Sequence, residues 1–283
     1  MTAQLDYVDY ALRAPSDPAY GQQWGLRNTG QTITRVAGGV PVSPAANPPT
    51  SGEGLDIGAE LAWETITDCS SVVVAVIDSG IRSTHQDLAG NLWNDGKGHF
   101  GRDFVDDDDV PEDEASHGTH VAATIAGVAN NDVGGAGVCW KARLMAVRVL
   151  DKNNRGLTST IVNGIYWAVD NGAKVINLSL GARGEDTLLR QAIQHAESKD
   201  DVVVAAAGND GEDNDERSII PANYLGPSGL SVAAVQQDFA LASFSNFGRR
   251  TVDIAAPGNN IYSAIGADIR SNNPDGRSGW NFV

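Results

Sequence analysis

Positive charge and sulfur are both scarce in this chain. Against 36 Asp and Glu stand only 20 Lys and Arg, a net charge of -16. That deficit speaks against nucleic acid or an anionic membrane as a partner and favours a cation. The two cysteines, Cys69 and Cys139, are too few for a disulfide scaffold and enough for one bridge. No apolar run approaches the roughly 20 residues that a bilayer span requires. The opening MTAQLDYVDYALRAPSDP has neither a basic n-region nor an apolar h-region, so it does not read as a secretory signal. The HExxH pattern that zinc peptidases place on a helix is missing as well, which sets aside a metallohydrolase using His117 and His120.

What is present is ordinary for a folded domain: 41% hydrophobic and 20% charged residues in 283. A polar, Pro-rich lead-in runs to about Ser51 and reads as surface loop. Beyond it, apolar runs of strand length recur at Val72 to Ile77, Leu144 to Leu150, Val175 to Leu180, Val202 to Ala207 and Leu230 to Val235. Several are rich in β-branched residues, as strands buried on both faces are. Between them lie helical patterns. Val121, Ile125 and Val128 recur at helical spacing, as do Ile161, Ile165 and Val169, and Leu189 and Ile193 follow an Asp186 that suits a cap. Alternating strands and helices predict an α/β fold: three layers, a mostly parallel central sheet with helices on both faces. No internal repeat or second domain is evident.

Ligands of such sheets sit outside the carboxyl ends of the strands. There the sequence offers Asp78 after the first long run, Asn209 after Val202 to Ala207, and His117 in SHGTH, which opens the helix carrying Val121 and Ile125. Singly, each has a plain reading: a turn former, a helix cap, a turn. Together they are three parts of an acyl-transfer site. A carboxylate fixes the imidazole tautomer, the imidazole moves a proton near neutral pH, and an amide binds the developing oxyanion. The nucleophile is the part not supplied.

VVVAVIDSGIRSTHQDLAG, SHGTHVAATIAG, VINLSLG, VVVAAAGND and VDIAAPG resemble, in order, the successive blocks of the subtilisin-like serine peptidases. The resemblance implies Asp78 as the triad acid, His117 as the general base with His120 structural, and Asn209 as the oxyanion-hole side chain. It implies polypeptide substrates, held between Ser179-Leu180-Gly181 on one side and Asn154-Arg155-Gly156 on the other, and so a broad endopeptidase. It also implies structural calcium, bound by the side chains of Asp17, Asp87 and Asn131 and the carbonyls of Ala129, Val133 and Gly135. A run holding Asp103, Asp106, Asp107, Asp108, Asp109 and Asp113 reads either as a solvated loop or as a weaker calcium site that some relatives carry. Secretion, and inhibition by the chain's own propeptide, are the family's remaining implications.

Departures from the family pattern are equally specific. The family's Gly-Thr-Ser-Met-Ala-type block, with its nucleophile on a central helix, normally follows a strand such as GWNFV, where this chain stops. Neither Ser245 nor Ser278 has that motif around it. The resemblance thus implies a fragment: residues 1–14 as the last strand of a propeptide, about Tyr7 to Arg13, and residues 15–283 as a peptidase domain without its Ser-bearing helix. The competing function is a catalytically inactive peptide-binding module. Ser116 replaces the Gly that many relatives have before the histidine. Cys69 and Cys139 precede two predicted strands by three or four residues, so neighbouring strands would put both sulfurs at the end of the sheet away from the rim. A disulfide and two buried thiols both remain open.

Overall fold

The computed structural model describes residues 13–32 and 54–265, together with the backbone of strands at 35–37, 40–42 and 280–282. The expected propeptide strand, like Ser278, lies outside these residues, apart from Arg13 and Ala14. In the lead-in, β1 (Arg35–Ala37) and β2 (Val40–Val42) pair antiparallel, where a loop was expected. The Gly-Gly dipeptide between two valine-bearing segments is a hairpin sequence, a local signal that the surrounding prolines obscure. Helix α1 (Ala59–Trp63) follows.

The chain then alternates as its apolar runs predict: β3 (Asp68–Asp78), β4 (Gly101–Asp103), α2 (His117–Ala126), β5 (Lys141–Arg148), α3 (Thr158–Asp170) and β6 (Val175–Leu178). After the short β7 (Ala182–Arg183) come α4 (Thr187–Glu197), β8 (Val202–Ala206), β9 (Ile219–Ile220), β10 (Leu230–Val235) and β11 (Ile254–Pro257). Asp186 caps α4 as expected, its carboxylate accepting the Leu189 N–H at 2.8 Å. Finally β12 (Tyr262–Ala264) pairs antiparallel with β13 (Trp280–Phe282), so the WNF of GWNFV is strand.

Seven strands form one parallel sheet in the order β11-β10-β8-β6-β3-β5-β4. Alternation along β3 places its side chains on two cores. Val73, Ala75 and Ile77 join Ile165, Ala168, Leu189 and Ile193 from α3 and α4. Val76 faces Ala122, Ala123 and Ala126 of α2 on the opposite side. Helices therefore cover both faces, as the three-layer reading requires.

β3 begins four residues earlier than its apolar run, at Asp68, because its exposed first half is polar and carries no hydrophobic signal. Cys69 thus lies inside the strand. A disulfide joins it to Cys139, across a sequence separation of 70 residues. Of the two readings left open for these cysteines, the bridge is the one observed. It sits at the amino end of β3, opposite the rim that carries Asp78.

Candidate active site

The rim is built by β3. Its apolar core holds the strand rigid up to its last residue, Asp78, which is 0% exposed. His117 is the first residue of α2 and comes from the adjoining segment, with its Nδ1 2.7 Å from Asp78 Oδ1. The same Oδ1 accepts the Ser79 N–H at 2.7 Å. Asp78 Oδ2 is buried with no hydrogen-bond partner among the described residues, so the carboxylate's hydrogen bonds there, from the imidazole and the Ser79 N–H, both fall on Oδ1. The hydrogen bond to Asp78 raises the His117 pKa above its ordinary value, against the opposing pull of burial. With Nδ1 held by the carboxylate, Nε2 is the nitrogen left to exchange a proton. Among the described residues no serine hydroxyl bonds to it.

Asp78, Gly181 and Asn209 share one edge because β3, β6 and β8 are parallel neighbours. At roughly 4.8 Å per strand, Asn209 lies about two strand spacings from Asp78 along the rim. Its side chain is exposed. The loop behind it is fixed: Asn246 Oδ1 accepts the N–H groups of Asp210 and Glu212, at 2.8 and 3.2 Å, and Asn214 Nδ2 donates to Ala207 O at 2.7 Å.

The two expected substrate walls flank β3. Ser179, Leu180 and Gly181 form the irregular link from β6 to β7. Asn154, Arg155 and Gly156 lie beyond β5 in an exposed turn, where Asp151 N–H donates to Arg155 O at 2.8 Å and Asn154 has φ 57°. Sequence reasoning missed Ile219. It is 4% exposed yet belongs to neither large hydrophobic cluster. A Cβ on Gly181 would stand 3.1 Å from Ile219 Cγ2, and one on Gly208 would stand 3.4 Å from Ile219 Cγ1. Ile219 therefore fills the gap between the ends of β6 and β8. Only the folding-back of β9 against β7, Arg183 opposite Ile219, brings it there, and no sequence period announces that.

The family model described as the subtilase family of S8 peptidases matches residues 70–280. The chain belongs to the subtilase family. It is 45% identical over 264 residues to a thermophilic serine proteinase of Bacillus sp. strain AK1, covering 93% of this chain and 56% of that protein. It is 44% identical over 207 residues to thermitase of Thermoactinomyces vulgaris, covering 73% and 70%. Halolysin of Haloferax mediterranei matches at 39% over 98% of the chain and 46% of its own length. The chain thus spans roughly half to seven-tenths of these relatives. Among solved structures, a protease from Pseudoalteromonas arctica aligns with TM-score 0.72 at 30% identity, covering 96% of this chain and 82% of that one. A cold-adapted subtilisin-like serine proteinase aligns with TM-score 0.62, also at 30%, covering 92% and 77%.

In this subtilase the expected calcium ligands converge in part. Asp17 and Asp87 are 4% and 0% exposed. The loop after α2 ties them together: Asp17 accepts the N–H groups of Asn130 and Asn131, at 2.6 and 3.1 Å, and Asn131 Nδ2 donates to Asp87 Oδ1 at 2.7 Å. The carbonyls of Ala129, Val133 and Gly135 accept no hydrogen bond among the described residues, Gly135 being buried. Two buried carboxylates, an amide and unsatisfied carbonyls are hard oxygen donors that fit calcium. Among the described residues no three His, Cys, Asp or Glu side chains gather around a metal position, so the amide and carbonyls would have to complete the set.

The acidic run before His117 is answered by arginine. Buried Arg148 reaches Asp103 at 2.6 Å, Asp106 at 2.7 Å and Glu114 at 2.6 Å. Arg102 pairs with Asp109 at 3.1 Å and also with Asp107. Asp113 stands apart, with its oxygens taken by protein donors.

Proposed function

We propose that this subtilase chain carries the acid and base of a serine endopeptidase. Asp78 orients His117 and stabilises its imidazolium, His117 Nε2 takes the proton from a serine hydroxyl and returns it to the leaving amine, and the Asn209 amide steadies the oxyanion. The observation that carries this is the 2.7 Å contact between a fully buried carboxylate and the Nδ1 of a histidine whose other nitrogen is open. Extended polypeptides would lie between residues 179–181 and 154–156, with Ile219 closing the pocket between the two strand ends. Small to medium apolar side chains are the substrate class that suits such a pocket.

Calcium held by Asp17, Asp87, Asn131 and the carbonyls of Ala129, Val133 and Gly135 would fasten the N-terminal segment to the loop after α2. There it would neutralise the buried carboxylates. The disulfide and the acidic surface suit an extracytoplasmic location, and among the described residues no helix is long and apolar enough to cross a membrane. Residues 1–14, as the end of an inhibitory propeptide ahead of a domain over 15–283, complete the proposal.

The test is casein hydrolysis by the product of the complete gene. Asp78→Ala and His117→Ala should each reduce turnover by about 10⁴-fold or more, the scale that one acid or base of a Ser-His-Asp triad carries. Hydrolysis surviving both changes would refute the assignment. Residues 1–283 by themselves should bind peptides without cleaving casein, since no serine hydroxyl meets Nε2 among the described residues. That same observation favours a peptide-binding module as the second reading. Cleavage by these residues, lost in His117→Ala, would exclude it.

A further inference from the structure

The acid–base pair leaves one buried carboxylate beside it without a task. Asp113 is 9% exposed and precedes His117 by four residues. Its Oδ1 accepts the Ser79 hydroxyl at 2.9 Å and the N–H groups of Ala115 and Ser116 at 2.9 and 2.8 Å. Its Oδ2 accepts the N–H and the hydroxyl of Thr119 at 2.9 and 2.5 Å. Five donors exceed what capping a helix needs. One of them leads directly to the reacting pair: Ser79 Oγ accepts the Gly118 N–H at 2.9 Å, while Ser79 N–H donates to Asp78 Oδ1 at 2.7 Å.

Ser116 supplies a second, independent observation. It stands at φ 74°, in the left-handed region, immediately before His117. A residue with a Cβ is strained there and stays only where its surroundings over-determine the conformation. Its N–H is one of the groups that Asp113 holds.

We propose that Asp113 is a positioning residue: it gathers Ser79, Ser116 and Thr119 into one latch, keeps Ser116 left-handed, and so sets His117 against Asp78. This rests on the reading of Asp78 and His117 as acid and base.

The latch also carries charge. The ionised groups acting on His117 are Asp78 from β3 and Asp113 from the loop before α2, both of which favour the imidazolium. Around them, Glu112 is engaged by the Ser83 hydroxyl, the Arg82 N–H bonds Thr119 Oγ1, and Tyr262 of β12 packs on the α2 side of the sheet. Removing the Asp113 charge while keeping its shape should therefore lower the His117 titration midpoint. A carboxylate that only capped the helix, with no reach to the imidazole, would lower stability when replaced and leave that midpoint where it is.

The experiment uses the 283-residue chain. NMR follows the His117 ring through pH, and hydrogen exchange follows the Gly118 and Thr119 amides. In Asp113→Asn the midpoint should move down and Thr119 protection should fall about tenfold or more. In Asp113→Ala protection should fall at both amides. Adding Ser116→Gly should restore much of it at Gly118, whose acceptor Ser79 Oγ is still present, because glycine needs no help at positive φ; Thr119 stays unprotected without Asp113 Oδ2, and the midpoint stays low because the charge is still missing. A midpoint unchanged in Asp113→Asn, or no recovery with Ser116→Gly, overturns the proposal. If Asp113→Ala does not fold, Asp113→Asn alone decides. Asp78→Ala separates the two levels. A midpoint that falls there but not in Asp113→Asn defeats only this inference, whereas one that falls in neither defeats the acid–base reading beneath it.

Discussion

Replacing Gly118 by alanine should break the Asp78–His117 pair without substituting either member. Gly118 is the second residue of α2 and packs directly on the rim. An added Cβ would stand 2.2 Å from Gly80 O and 3.2 Å from Asp78 Cβ. Ordinary contact begins near 3.4 Å, so the start of α2 must withdraw by about 1.2 Å. A rigid withdrawal lengthens the 2.7 Å His117–Asp78 contact to at most about 3.9 Å, which is enough to weaken or break the hydrogen bond. Overpacking costs about 1–3 kcal/mol, and a charged hydrogen bond about 1.5–3 kcal/mol, discounted here because part of the imidazole faces water. A loss of about 2–4 kcal/mol follows. Urea unfolding measures the stability, and the low-field Nδ1 proton of His117 reports the hydrogen bond. Gly90→Ala is the control, since a Cβ there meets only Val128 Cγ2 at 3.8 Å. Gly118→Ala with control-like stability and an unchanged low-field proton would refute the geometry.

Three further outcomes follow from the same structure. Ile219→Ala should raise kcat/KM for a large aromatic side chain relative to alanine by about tenfold or more, measured on paired peptide substrates with the complete gene product; an unchanged ratio removes Ile219 from the pocket. Chelation should lower the melting temperature by about 5 °C or more, and Asp87→Ala should abolish that response; no shift with calcium shown to be removed counts against the site. The Cys69–Cys139 bridge closes a loop of 70 residues, so Cys69→Ser with Cys139→Ser should cost up to about 4 kcal/mol in urea unfolding. Titration of the denatured, unreduced chain should find no thiol, and two reactive thiols would contradict the bridge.

The sheet and the meeting of Asp78 with His117 were legible because both write themselves locally. Apolar runs of strand length mark buried strands, and a carboxylate just past one of them must lie on the rim. His117 was legible by its place at the head of an amphipathic helix. The first half of β3 was not, because polar Ser70 and Ser71 hide a strand whose pairing is set by β5. Asp113 looked like one more charge in an acidic run. Only the fold separates it from Asp103 and Asp106, which Arg148 neutralises, and turns it toward Ser79 and Thr119. Ile219 was invisible for a similar reason: two consecutive isoleucines say nothing about which of them faces the core and which fills a cleft.

The central claim is that Asp78 holds His117 ready as a base. Its most direct test is the pH titration of the His117 ring, in the wild-type chain and in Asp78→Ala. The folded pKa is raised, so the pair's stabilisation is full below the unfolded value of about 6.5 and is lost as pH rises through the folded value. The expected midpoint lies above 6.5 in the wild type and drops in Asp78→Ala, where burial opposes the charge with less to offset it. A single midpoint shared by both proteins would contradict the account.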